Sequence, residues 1–254
     1  MARGRGVVIR FVRGCITKVK AEAIVTSSNP TLSPNSQKGY WRFAGRNNVN
    51  GAVHQAGGTA LAASIKGLEL NDGINSSQLV RCKPGGAVCT PAGGELSQNT
   101  SYVIHCCVPD GLYGVGDNGS QTLKETFDSC FEVANELGVR SIAFPALGCG
   151  VQGWRPAVVF HAALQSIEHN TRFVGNPSTS HCNEERKYSE DHDLDNGVSV
   201  SFVLYSDHVF KVWMKLANEI FGGKSSRWLA TETATKAENG DESMKYHEWV
   251  MTSN

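Results

Sequence analysis

The sequence predicts an α/β fold, a three-layer α/β/α sandwich around a mixed, mostly parallel central sheet. Three observations carry this. β-branched runs bounded by turn residues alternate with segments whose apolar residues recur at helical spacing, the pattern of helices laid on the faces of a sheet. The chain has 254 residues, 40% hydrophobic and 19% charged, enough for one filled core of this kind. Two unusual loops, 29–51 and 147–154, each follow a strand candidate, where open sheets of this class place ligands.

"GVVIRFVRG" (6–14) and "AEAIVTSSN" (21–29) read as strands because both are β-branched runs ending in turn residues. Residues 30–49, rich in Pro, Asn, Ser and Gly, read as a long loop. A helical segment runs from about Asn50 to Ile65, with "AGG" at 56–58 as a breaking point. Strand candidates follow at 85–93 and 102–108. Ser120 is placed to cap a helix on which Leu123, Phe127, Phe131, Ala134 and Leu137 share a face. "SIAFPAL" (141–147) is the next strand, and a helix from about Arg155 aligns Ala157, Phe160, Leu164 and Ile167. The last core elements are "VSVSFVLYS" (198–206) and a helix carrying Phe210, Trp213, Met214, Ala217, Ile220 and Phe221. Residues 176–196 have no apolar period and read as an exposed insertion. The organisation is therefore one domain over 1–221 with insertions at about 30–49 and 176–196, followed by a polar tail over 222–254 that is either loosely attached or docked locally through Trp228 and Trp249.

Charge and cysteine usage narrow the function classes. Lys and Arg total 24 and Asp and Glu total 24, so no global field favours nucleic acid or an anionic membrane. No interleaved basic and aromatic stripe supports nucleic acid, and no run approaches the roughly 20 apolar residues of a membrane span. Arg10 and Arg13 interrupt the only apolar stretch near the start, which argues against a signal peptide and for an intracellular protein of cytoplasm or nucleus. The eight cysteines form no C-x-x-C pair. They read as reduced, largely buried small residues, so neither a metal nor a cofactor is expected.

The loop "SIAFPALGCGVQGWRP" (141–156) carries the chemistry. Gly148, Gly150 and Gly153 stand between a strand and a helix, where bare backbone lets N–H groups converge on an anion such as phosphate. A tight turn that needs glycine only for packing gives the same pattern.

Several motifs, in one order, resemble the macrodomain family of ADP-ribose-binding modules. They are "RGCITKVKAEAIVTSSN", "NNVNGAVHQAGG", "PGGAVCTPAGGELSQNTSYVIHCCVP", "SIAFPALGCGVQGW" and "VSVSFVLYSDHVFKVW", together covering roughly 6–221 less the two insertions. The resemblance implies that residues 148–153 wrap a diphosphate and the edge of the distal ribose. It implies a ligand-binding set of Cys15, Ile16, Asn29, Asn50, Gly51, Val53, Ala146, Gly148, Cys149, Gly150, Val151, Gln152 and Gly153. Asn29 and Asn50 would be the catalytic pair if the chain is a hydrolase.

The departures from the family matter as much. Cys15 stands where the family usually has an aspartate that accepts from the adenine amino group. A thiol is a weak acceptor, and losing a charge-assisted hydrogen bond costs about 1.5–3 kcal/mol. "NAAN" reads Thr26-Ser27-Ser28-Asn29, and Asn29 either faces the ribose or caps the loop start. The family's consecutive glycines are replaced by Gly45-Arg46-Asn47-Asn48-Val49-Asn50-Gly51, where Arg46 either meets phosphate or is solvated. Asn50 replaces an aspartate that orients water in one hydrolase subclass, and an amide cannot act as a base at neutral pH. His54 is either a substitute base or an ordinary helix histidine. Cys149 is either a thiol of low pKa or simply small. Gln152 replaces a shielding aromatic, for which Trp154 or Phe144 would have to substitute. Tyr40, Trp41 and Phe43 either cover a base or tuck onto the core.

Three functions follow in order: a module that binds ADP-ribose or ADP-ribosylated protein, a hydrolase acting on such ligands, and an interaction domain that has kept the fold and lost the ligand.

Overall fold

The first strand, β1 (Val7–Arg13), is apolar on both faces, with Ile9 and Phe11 fully buried, which marks a strand covered on both sides rather than half-solvated. The computed structural model describes residues 7–34, 48–70, 79–111, 119–170, 198–222, 228–231 and 245–251. The residues of the first loop from Tyr40 to Asn47 and the 176–196 insertion lie outside them.

After β1 and a short 3-10 turn at Ile16–Lys18 come β2 (Ala23–Ser28), α1 (Val49–Lys66), β3 (Ala87–Pro91) and β4 (Tyr102–Cys107). They are followed by α2 (Gly119–Glu136), β5 (Ser141–Pro145), α3 (Pro156–Asn170), β6 (Val198–Leu204), α4 (Asp207–Phe221), β7 (Trp228–Thr231) and β8 (Lys245–Met251). The sheet order is β3-β4-β2-β5-β6-β1-β8-β7. The central run from β4 to β1 is parallel, and antiparallel partners flank it, β3 on one side and the β8-β7 pair on the other. The expected mixed, mostly parallel sandwich is what forms.

Alternation along the strands sets the layers. Ala23 and Val25 of β2 face a core shared with α2, α3 and α4, whereas Ile24 faces one shared with α1. The larger core is aromatic. Trp213 is fully buried with its ring centroid 5.1 Å from Phe202, and Phe202 lies 5.6 Å from Phe11. α2 and α3 are joined by Asp128, which accepts from Ser166 Oγ at 2.5 Å and Asn170 Nδ2 at 2.9 Å and pairs with Lys124 at 2.5 Å.

The element boundaries differ from the sequence reading in physically simple ways. α1 starts at Val49 because the Asn48 side chain accepts from Gly51 N at 2.7 Å, an N-cap. The "AGG" break is a kink at Gly58 (φ 58°) inside the helical run. Ser120 lies within the first turn of α2. The largest difference is the tail. Instead of a loose extension past 221, residues 245–251 pair antiparallel with all of β1, from Val7↔Met251 to Arg13↔Lys245. A bare edge on β1 would leave a row of unpaired backbone groups, and β8 satisfies them. Among the described residues, no helix is long and apolar enough to cross a membrane.

Candidate functional site

The strands of the parallel run end together, and the turns after β2 and β5 rise as two walls of one cleft. The first wall is built by Asn29. Its Oδ1 accepts from Thr31 Oγ1 (2.7 Å), Thr31 N (3.0 Å) and Ser33 N (3.3 Å), and its Nδ2 donates to Ser33 O at 2.7 Å. That is a self-closing Asx turn. It carries Leu32 at φ 58°, an uncommon conformation for a branched residue. α1 holds the turn from behind, because Asn50 Nδ2 donates to the same Ser33 carbonyl at 3.1 Å and His54 bonds the Leu32 backbone.

The second wall is the glycine loop. Gly148 has φ 76°, and a Cβ there would lie 2.6 Å from the Trp154 ring. Trp154 in turn donates from Nε1 to Pro109 O at 2.8 Å. The loop closes on itself through Cys149 N to Ala146 O (3.1 Å), Gly153 N to Gly150 O (3.0 Å) and Trp154 N to Gly148 O (3.0 Å). The N–H groups of Gly150, Val151 and Gln152 have no hydrogen-bond acceptor among the described residues. Gly150 is bare for a different reason from Gly148. It needs no unusual φ, and a Cβ added to it would meet nothing within 4 Å.

Between the walls lies a cavity of about 850 Å³, within the usual range of small-molecule sites. Of the residues singled out from sequence, Cys15, Ile16, Asn29, Asn50, Ala146, Gly148, Cys149, Gly150, Val151 and Gln152 line it. Gly51, Val53 and Gly153 do not. Val53 is fully buried against the sheet, the Gly51 amide is used by the Asn48 cap, and Gly153 closes the turn at φ 71°. Gly45, Arg46, Asn47, Tyr40, Trp41 and Phe43 lie outside the described residues. The substitute aromatics are not in the cavity either, since Phe144 is fully buried in the core and Trp154 is a strut under Gly148. Among the described residues, the ring that does line it is Tyr205, 77% exposed at the end of β6. Arg13 stands 5.8 Å from its centroid and is itself fixed by Asp207 at 2.7 Å. An exposed tyrosine directly after a strand was the signal available for it. Ser28 and Asn48 also line the cavity without having been singled out.

The electrostatics are plain. Among the described residues, no Asp, Glu, Lys, Arg or His side chain lines the cavity. Cys149 is no reactive thiol, because burial pushes its pKa up to about 12. His54 is kept neutral by burial, and its ring faces His105 at 6.4 Å. Cys15 engages Thr17, with Sγ and Oγ1 3.2 Å apart. The cleft thus offers an anion backbone amides, an aromatic shelf and neutral polar groups.

Known proteins share this fold. A Macro domain profile matches residues 41–163. O-acetyl-ADP-ribose deacetylase 1 of Pantoea vagans is 32% identical over 161 residues, 63% of this chain and 81% of that protein. The O-acetyl-ADP-ribose deacetylase of Salmonella gallinarum is 32% identical over 160 residues, covering 63% and 76%. Among solved structures, the Oceanobacillus iheyensis macrodomain with ADP superposes with TM-score 0.60 at 20% identity, over 84% of this chain and 92% of that one. The Trypanosoma brucei macrodomain in complex with ADP-ribose gives 0.56 at 20% identity, over 82% and 68%. With relatives about a third identical over most of their own length and the same fold, the chain belongs to the macrodomain family.

Proposed function

We propose that the protein binds ADP-ribose, free or attached to protein, in the cleft between the 29–34 turn and the 146–153 loop. The observation that carries this is the row of uncommitted amides at Gly150, Val151 and Gln152 beside a glycine whose missing side chain serves neither conformation nor packing. Converging N–H groups bind phosphate without a cation, and Tyr205 gives a base a flat surface at the same cavity. The matching of relatives named for O-acetyl-ADP-ribose and of structures with ADP and ADP-ribose supports the same ligand class.

Binding is favoured over turnover by what the lining lacks. Asn50 supplies an amide, which orients water without taking its proton, and no carboxylate or imidazole stands in for a base among the described residues. Hydrolysis would have to borrow a phosphate of the ligand.

Calorimetric titration with ADP-ribose tests the reading, using Gly150→Glu as the control. Because nothing crowds a Cβ at 150, the variant is expected to keep its melting temperature while the added carboxylate faces the phosphates. The expected result is micromolar binding by the wild type and at least a tenfold loss in the variant, about 1.4 kcal/mol. No binding at millimolar ligand, or equal binding by both proteins, would sink it.

A further inference from the structure

The end of the cavity that carries Tyr205 is built where two strands stop together. β1 and β6 run parallel in register as far as Arg13↔Leu204, and Gly14 N still reaches Leu204 O at 3.4 Å. Cys15 therefore leaves β1 alongside Tyr205 and Ser206, which leave β6, and all three line the cavity. Of the backbone carbonyls there, Cys15 O accepts from Lys18 N, Leu204 O from Gly14 N and Arg13 Nη1, and Ser206 O from Phe210 N. The polar side chains that remain for the edge of a base are the Cys15 thiol and the hydroxyls of Tyr205 and Ser206, the last making no capping bond to α4. Each has one hydrogen and at least one lone pair, so each donates or accepts as its partner requires. The contact between Cys15 and Thr17 is ambivalent in the same way, since either atom can be the donor across 3.2 Å. With the Thr17 hydroxyl directed at Sγ, the thiol hydrogen is free to donate into the cavity. With the thiol directed at Thr17 Oγ1, the sulfur is free to accept.

We propose that the base end of the cleft is blind to the 6-substituent of a purine, so that the ligands are nucleoside diphosphate sugars of 6-oxopurines as well as of adenine, and that Cys15 sets this tolerance. Adenine presents an amino donor where hypoxanthine and guanine present a carbonyl acceptor. A fixed acceptor would refuse the carbonyl oxygen-to-oxygen, whereas a thiol that turns its hydrogen in or out refuses neither. Among the described residues, no charged side chain lines the cavity to impose one polarity. Stacking on the Tyr205 ring is indifferent to the substituent, because every base has a π-face. The proposal rests on the ligand-binding reading above, with the base against Tyr205.

The test is calorimetry of the full chain with ADP-ribose and with its hypoxanthine counterpart, which differs only in carrying 6-oxo for 6-amino, together with melting curves. The wild type should bind the two within about threefold of each other, less than the effect of one fixed hydrogen bond. Cys15→Asp, whose ionised carboxylate can only accept, should shift the ratio at least tenfold toward ADP-ribose. Cys15→Ser, whose hydroxyl also turns, should leave the ratio within threefold. A wild-type preference of tenfold or more for either ligand would overturn the proposal, whether or not Cys15→Asp folds. So would a folded Cys15→Asp that changes both affinities equally, since the base would then not reach residue 15. Either result leaves the binding reading intact, whereas failure of the wild type to bind either ligand would overturn both.

Discussion

His105 shows what a single residue contributes here beyond packing. It is fully buried, its Nε2 lies 3.0 Å from Thr90 Oγ1, and burial together with the neighbouring His54 lowers its pKa from 6.5 to about 3. The sign of the consequence follows from linkage. Between about pH 6.5 and 3 the unfolded chain binds a proton that the folded protein does not. The stability this neutral imidazole represents is therefore full above 6.5 and is lost as pH falls toward 3. His54 is shifted in the same direction. Denaturant melts at pH 7 and pH 5 should differ by about 2 kcal/mol on this account. His105→Gln should flatten that difference, and an unchanged slope in the variant would refute the assignment.

At the scale of elements, the glycine loop is held in shape by a side chain outside the cavity. Trp154 packs under Gly148 and Gly111 and ties its indole to Pro109. Trp154→Ala should cost about 2–4 kcal/mol of stability. Well below the melting temperature, it should weaken ADP-ribose binding tenfold or more because the amides lose their aim. Affinity unchanged at reduced stability would show that the loop holds itself. The two loops themselves were legible in sequence, because each follows a strand and carries residues that few other contexts need. The division of labour inside them was not. Asn29 and Asn50 look equivalent in a sequence, and only the hydrogen bonds to Ser33 separate the satisfied amide from the one with a free oxygen. Val53 lies on the same helix as Asn50, and periodicity names a buried face without saying that the core, not the cavity, claims it. Tyr205 was missed because its place at the site depends on β6 ending beside β5, a pairing between distant segments.

For the whole molecule, the alternation of strand and helix made the sandwich readable, whereas the contribution of the tail was not readable, since its polar composition conceals a strand whose partner is at the other end of the chain. Removing residues after 222 would strip β8 from β1 and expose an edge seven residues long. The truncated protein should melt several degrees lower and form concentration-dependent aggregates in light scattering. A truncated form that stays monomeric with an unchanged melting temperature would mean that β8 adds nothing to the edge. The same pairing also imposes an order on assembly. β1 leaves the ribosome well before either of its neighbours, since β6 and β8 lie about 190 and 240 residues further along. That side of the sheet therefore cannot close until β6 and β8 have been made, and an apolar strand must wait unpaired until then. The protein is expected to fold late and all at once, and its growing chain to depend on chaperones in a way the finished molecule does not.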